Sequence, residues 1–198
     1  MVRTVVVHDE ELLRSALVQL LRSDDTLEVT SLCPGSQEPT GEELPADVCV
    51  VDGEYLHAPG DVRGPRLRDA YGDRLVVLTT ARRPGVLRRA FDAGALGLVD
   101  KNAPVQRLLT AVHTVAKGER FLDETLTVAL LQGAEMPLTT RELSVLSLAA
   151  QGAPIAEIAA RLHLSRGTVR NYMATAIRKV GARNRVDAIR IVQSAGWT

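Results

Sequence analysis

No apolar run in these 198 residues approaches the roughly 18–20 that a membrane-spanning helix needs. Near the N-terminus, Val5-Val6-Val7 gives way to acid at Asp9 before a signal-peptide core could complete, so the chain is expected in the cytoplasm. Only two cysteines occur, Cys33 and Cys49, both within β-like apolar runs. Reduced core residues are expected there, not a disulfide or a metal pair. No glycine-rich turn follows the first apolar run. His8-Asp9-Glu10-Glu11 stands in its place, and those acids would repel a phosphate, which excludes a Rossmann nucleotide site. The composition, 45% hydrophobic and 24% charged, is that of a globular protein of one or two domains.

Net charge is also absent, because two opposite halves cancel. Residues 137–198 carry nine basic and three acidic side chains, leaving 15 and 21 for residues 1–136. An acidic first part joined to a basic second part suggests two domains with different partners, the basic one facing nucleic acid. A soluble surface would carry such charge too, so the case rests on pattern.

The first part alternates strands and helices. Strand-like runs lie at 2–7, 27–33, 48–51, 75–78 and 96–99. Helical spacing of leucines follows the first run, at Leu12, Leu13, Ala16, Leu17, Leu20 and Leu21. Residues 34–45 are rich in Pro, Gly and Glu, so any helix there is short or irregular. A short helix is expected at 67–71. Longer ones are expected at 86–93, with Pro84 near the start and Gly94 at the end, and at 104–116, stopped by Gly118. Five such units in series imply an α/β fold, a doubly wound five-stranded parallel sheet with helices on both faces. Ligands of such sheets sit beyond the carboxyl ends of the strands. Asp9, Asp52, Thr79 and Lys101 each follow a different strand and should therefore meet at one edge. Two carboxylates suit Mg2+, one of them can attack a phosphoryl donor, and an ammonium and a hydroxyl can hold the transferred group. Any one polar residue at a strand end is ordinary; four of complementary chemistry point to a site.

Residues 1–118 resemble the receiver domain of two-component response regulators. The resemblance is carried by Val5-Val6-Val7-His8-Asp9-Glu10, Pro45-Ala46-Asp47-Val48-Cys49-Val50-Val51-Asp52, Val77-Leu78-Thr79-Thr80 and Ala93-Gly94-Ala95-Leu96-Gly97-Leu98-Val99-Asp100-Lys101. It implies a flavodoxin-like fold with Asp52 as the phosphoacceptor. It implies Mg2+ on Asp9 and Asp52 and on the backbone carbonyl of Glu54. Thr79 becomes the switch hydroxyl and Lys101 the phosphoryl-binding lysine. The chain departs from the family at four places. His8 replaces the first acid of an Asp-Asp pair, Tyr55-Leu56 replaces Met-Pro, Leu98 replaces an aromatic switch residue, and Arg82-Arg83 replaces an acidic loop. Asp52-Gly53-Glu54 also faintly resembles the Asp-x-Asp of haloacid-dehalogenase phosphatases. Its second acid is Glu54, and no further acidic motif follows, so no enzymatic activity is expected.

Residues 119–136, with Leu126, Val128, Leu130, Leu131 and Gly133, read as a partly helical linker. From 138 onward no strand run occurs. A helix capped by Thr139 or Thr140, a second at 154–162, a third at 166–180 behind Ser165, and a fourth at 187–194 compose an all-α domain at 137–198. The second and third form a helix-turn-helix. Val169, Met173, Ile177 and Val180 share one face of the third helix, which should be core. The opposite face holds Gly167, Arg170, Asn171, Ala174 and Arg178, small, polar and basic as a major-groove helix requires. Arg166, Thr168, Arg178 and Lys179 suit phosphates. The segment resembles the LuxR-type helix-turn-helix. Leu138-Thr139-Thr140-Arg141-Glu142-Leu143-Ser144-Val145-Leu146, Ile155-Ala156-Glu157-Ile158-Ala159 and Leu164-Ser165-Arg166-Gly167-Thr168-Val169-Arg170-Asn171-Tyr172 carry the likeness.

The whole chain thus resembles a NarL/FixJ-family response regulator. That implies a transcription regulator phosphorylated on Asp52 by a sensor histidine kinase. It also implies a homodimer, formed through the last helix, on a pseudo-palindromic site of double-stranded DNA. DNA contacts are expected from Arg166, Thr168, Arg170, Asn171, Ala174, Arg178 and Lys179. His8, Leu98 and Arg82-Arg83 motivate the alternative: a receiver that switches without phosphorylation, by ligand, partner or constitutive dimerisation.

Overall fold

The computed structural model describes residues 1–33, 46–56, 63–133 and 136–197, apart from the side chains of 63–66 and 132–133. The chain divides into two compact units, Met1–Gln132 and Gly133–Thr198.

The first unit is built on a parallel sheet. Its strands are β1 (Val2–Val7), β2 (Leu27–Leu32), β3 (Val48–Asp52), β4 (Leu75–Thr79), β5 (Gly97–Asp100) and β6 (Phe121–Leu122), in the order β2-β1-β3-β4-β5-β6. Its helices are α1 (Glu11–Leu21), α2 (Arg63–Tyr71), α3 (Pro84–Asp92), α4 (Val105–Ala116) and α5 (Glu124–Gly133). Continuous β-branched runs make the central strands, and alternation sorts their side chains. Val5, Val7, Cys49, Val51, Val77 and Leu98 join Leu67 and Tyr71 of α2 and Leu87 and Ala90 of α3 in one core. Val6, Val48, Val50, Val76, Leu78 and Val99 join Val18 and Leu21 of α1 and Leu108 and Val112 of α4 in the other. A strand buried on both faces needs an unbroken apolar sequence. The cysteines are free, and burial pushes the Cys49 thiol up.

Two expectations are corrected. The sheet has six strands, not five. The stretch 119–136 is not spacer over most of its length. Phe121 and Leu122 pair with Gly97 and Leu98, and Leu126 of α5 is fully buried in the first core. A two-residue strand is too short to show alternation, so the sequence carried no sign of it. Polar ties complete the docking. Asp123 Oδ1 accepts from Arg107 Nε at 2.7 Å and Oδ2 from the Asp100 amide at 2.9 Å. Thr125 Oγ1 donates to Asp100 Oδ2 at 2.9 Å. The Arg107 guanidinium also lies 4.9 Å from the Phe121 ring centre, close enough for a cation–π contact. Helix α2 starts four residues earlier than expected, at Arg63. The irregular stretch 34–45 lies outside the described residues.

The second unit contains α6 (Thr140–Ala150), α7 (Ile155–Arg161), α8 (Arg166–Lys179) and α9 (Arg185–Ser194). Thr139 caps α6 in a reciprocal box. Its amide donates to Glu142 Oε2 at 2.7 Å, and the Glu142 amide donates to its hydroxyl. Ser165 caps α8 through the Thr168 amide at 3.0 Å, and Asn184 caps α9. The core gathers Val145, Leu146, Ile158, Val169, Met173, Ala176, Ala188 and Val192. Ile177 and Val180, expected in the core stripe, pack at its margin, and Ala176 takes the central place. Between α7 and α8, His163 adopts φ 54°, the only non-glycine residue with positive φ among those described. That left-handed residue turns the chain sharply toward α8.

Candidate functional site

Strand order places the topological switch point between β1 and β3, whose carboxyl ends deliver His8-Asp9 and Asp52. Asp52 ends β3 with its carboxylate almost wholly buried. Oδ1 accepts from the Glu54 amide at 3.0 Å, which starts a 3-10 turn over Gly53–Tyr55. Oδ2 forms a close ion pair with Lys101 Nζ. Gly53 is needed beside it. A β-carbon there would lie 2.4 Å from Val86 Cγ1 and 3.2 Å from the Leu78 carbonyl oxygen. Thr79 ends β4, 3% exposed, and the Lys101 amide donates to its carbonyl at 2.8 Å. Its hydroxyl has no hydrogen-bond partner among the described residues. A buried hydroxyl left unsatisfied costs about 1–3 kcal/mol.

All four strand-end residues stand at the carboxyl edge of the sheet, where Asp52 and Lys101 are in direct contact and the Thr79 carbonyl accepts from the Lys101 amide. Asp9 follows β1 as expected, but its carboxylate is 68% exposed and accepts from the Glu10 amide at 3.0 Å. His8, buried, lies between the two acids. Its Nδ1 is 3.3 Å from Asp9 Oδ1 and its Nε2 3.6 Å from Asp52 Oδ2. The Glu10 amide donates to Nδ1 at 3.0 Å, which leaves the ring proton on Nε2, facing Asp52. Reading the sequence did not assign His8 this contact. An imidazole between the acids replaces a would-be oxygen ligand with a donor. Among the described residues, no group of three His, Cys, Asp or Glu side chains is arranged to hold a metal ion. The expected Mg2+ donors, carboxylate oxygens of Asp9 and Asp52 and the Glu54 carbonyl, are hard oxygens of the kind that ion takes. Their chemistry fits, and His8, with Nδ1 occupied by an amide, adds no ligand. The Glu54 side chain is held by Arg83 in a close ion pair, a use of the basic loop the sequence did not reveal.

The second unit presents the other face. Arg166, Gly167, Arg170, Asn171, Ala174 and Arg178 are all exposed on α8, opposite Val169, Met173 and Ala176. Thr168 is half-buried, with its hydroxyl 2.8 Å from that of Ser165. Lys179 differs from the expected phosphate contact. Its Nζ donates to Glu142 Oε2 at 2.8 Å, bracing α8 against α6. Burial opposes ionisation of Glu142, but Lys179 and the Thr139 bonds outweigh it and hold its carboxyl below the usual range. Arg185 donates to the carbonyls of Ala149 and Ala153 at 3.1 Å, closing the end of α6.

Comparison with known proteins agrees with both halves. Residues 136–192 match the model of bacterial regulatory proteins of the luxR family. The chain is 81% identical over 199 residues to the response regulator RamR of Streptomyces coelicolor, covering all of this chain and 98% of that one. It is 34% identical to the transcriptional regulatory protein DesR of Bacillus subtilis, covering 100% and 99%. Among solved structures, the response regulator ChrA of a heme-sensing two-component system is similar at 28% identity with a TM-score of 0.54, over 100% and 98% of the chains. In fold, RcsB of Salmonella enterica serovar Typhimurium, solved bound to a promoter, is similar at a TM-score of 0.60 and 23% identity, over 98% and 99%. The chain belongs to the LuxR/NarL-type response regulators, DNA-binding regulators of transcription that join a receiver-like α/β unit to a helix-turn-helix.

Proposed function

We propose that this regulator is controlled at Asp52, and that the state of that carboxylate sets the affinity of α8 for DNA. The observation that carries the reading is the Thr79 hydroxyl, buried without a partner among the described residues at the end of the strand next to Asp52, which is itself paired with Lys101. An Asp52 oxygen attacks the phosphorus of a phosphohistidine or acyl phosphate. The bond from phosphorus to its former carrier breaks, and the phosphoryl group passes to the carboxylate. Lys101 then moves from the neutralised carboxylate to a phosphoryl oxygen, and the Thr79 hydroxyl donates to another. The resemblance to receiver domains implies Mg2+ at this position. Asp9, Asp52 and the Glu54 carbonyl would hold it here, and it would neutralise phosphoryl charge. The inward pull on Thr79 and on the face at 86–101 shifts a population toward a dimer, with α9 and its exposed Val186 as the natural contact. Two copies of α8 then read a pseudo-palindromic site. Arg170 and Asn171 suit base edges, Ala174 allows close approach, and Arg166, Thr168 and Arg178 suit phosphates. The phosphoryl source is a sensor histidine kinase, and the setting is the cytoplasm.

The test is the intact mass of the full chain after treatment with a phosphodonor and Mg2+, with molecular size measured on the same sample. One added phosphoryl group, absent in Asp52→Asn, is expected. Labelling that survives Asp52→Asn overturns the assignment.

His8 favours a second reading. With Nε2–H and Lys101 both facing Asp52, the carboxylate is neutralised by the protein itself, and the pocket can act as a fixed or ligand-set device without phosphate. Equal DNA affinity with and without phosphodonor favours this reading.

A further inference from the structure

We propose that Arg14 is a positioning residue for the Asp52 pocket, its guanidinium clamping the two peptide groups that aim His8 and Asp9. The proposal rests on the reading of Asp52 as the responsive carboxylate. It gives control of that carboxylate's neighbours to a residue of α1, which acts through the backbone at 8–10.

A cation is out of place where Arg14 stands. Arg14, Val18 and Leu21 are the buried residues of α1, so Arg14 holds the first place in the stripe that packs on the sheet. An apolar side chain is ordinary there. Arg14 is 7% exposed, and the start of a helix favours negative charge, not positive. A buried charge is costly unless it is paired and hydrogen-bonded. Here it is both. Nη1 donates to the His8 carbonyl at 2.6 Å and, more weakly, to the Asp9 carbonyl at 3.4 Å. Nη2 forms a close ion pair with Glu11, whose other carboxylate oxygen accepts from Ser15 Oγ at 3.2 Å.

Peptide planarity turns that grip into aim. The Asp9 carbonyl and the Glu10 amide belong to one rigid planar group and point in opposite directions. Arg14 holds the carbonyl end. The amide end donates to His8 Nδ1 and to Asp9 Oδ1, each at 3.0 Å. One plane therefore links the guanidinium to the His8 tautomer, which sets Nε2–H toward Asp52 Oδ2, 3.6 Å away. The same plane fixes the direction of the Asp9 carboxylate. The His8 carbonyl, held at the shorter distance, fixes the plane before it. Without the guanidinium both planes lose their anchor on α1. A lysine would keep the charge, but its Nζ ends one bond short of Nη1, and it lacks the planar fork.

The test compares the full-length wild type with Arg14→Met, which removes the donors, and with Arg14→Lys. Nitrogen NMR of the His8 ring is recorded without metal or phosphodonor, and Asp52 labelling is followed against Mg2+ concentration. In the wild type, Nδ1 is expected as a bare acceptor and Nε2 as a protonated nitrogen. In Arg14→Met both signals should move toward a mixture of tautomers. The Mg2+ concentration for half-maximal labelling should rise about tenfold, with the maximal rate kept, as expected when a partner that orients a ligand is lost. Arg14→Lys should fall between the two on both readouts. Thermal unfolding is measured on each protein. A folded Arg14→Met with wild-type His8 signals, or with wild-type Mg2+ dependence, overturns the proposal whatever its stability. If Arg14→Met does not fold, Arg14→Lys decides by the same two readouts. A wild type that takes no label sinks the Asp52 reading, and the His8 signals then decide this proposal alone.

Discussion

Arg170 and Asn171 stand in the middle of the exposed face of α8, on a helix fixed by the Ser165 cap and by the buried stripe behind it. Arg170→Ala is expected to cost about 1–3 kcal/mol of binding and to relax preference at one base position. Binding measured across a set of operator variants checks this, and a uniform loss at all positions would assign Arg170 to a phosphate instead. A second residue-scale prediction lies in the first unit, just before β2. Hydrogen bonds from His113 and from the Thr26 side chain and amide hold the Asp24 carboxyl at about 2. The group is ionised more readily in the folded chain than in the unfolded one. Its contribution to stability is therefore present above about pH 3.9 and is lost as the pH falls toward 2. In His113→Ala the Asp24 titration, followed by NMR, should rise toward the ordinary carboxylate range. At this scale the acids at strand ends were legible because each unbroken apolar run stops where its buried strand reaches the edge of the sheet. The roles of His8 and Lys179 were not. His8 depends on which amide meets Nδ1, and Lys179 on a carboxylate 37 positions earlier in the chain.

Helix α5 gains its place through tertiary contacts more than through its own sequence. Leu126 is its buried anchor, and Leu126→Ala should destabilise the first unit by about 2–5 kcal/mol, read by denaturant unfolding. Asp123→Ala should also destabilise, because it strips partners from both the Arg107 guanidinium and the Asp100 amide. The two effects should be less than additive if α5 and β6 dock as one element. The central strands and the helices of the second unit were readable from period and caps. Thr139, Ser165 and the glycines at 94, 118, 152 and 181, all at positive φ, stand where helices start or stop. β6 and the docking of α5 were not readable. Two strand residues show no period, and the polar knot joining Asp100, Asp123 and Thr125 spans up to 25 residues.

At the level of the molecule, charge division and fold division coincide. The residues from 137 onward carry a net charge of +6, all the rest a net charge of −6. Binding driven by the basic unit should fall steeply with salt, and Arg166→Ala should reduce the salt slope by about one. The central claim is that the pocket around Asp52 and the reading face of α8 work as one system. It is tested most directly by the DNA affinity of the full chain at fixed salt, for the wild type, Asp52→Asn and Lys101→Ala, with thermal stability measured on each. Disturbing either member of the ion pair should shift affinity several-fold while the proteins remain folded. Three identical affinities would contradict the account.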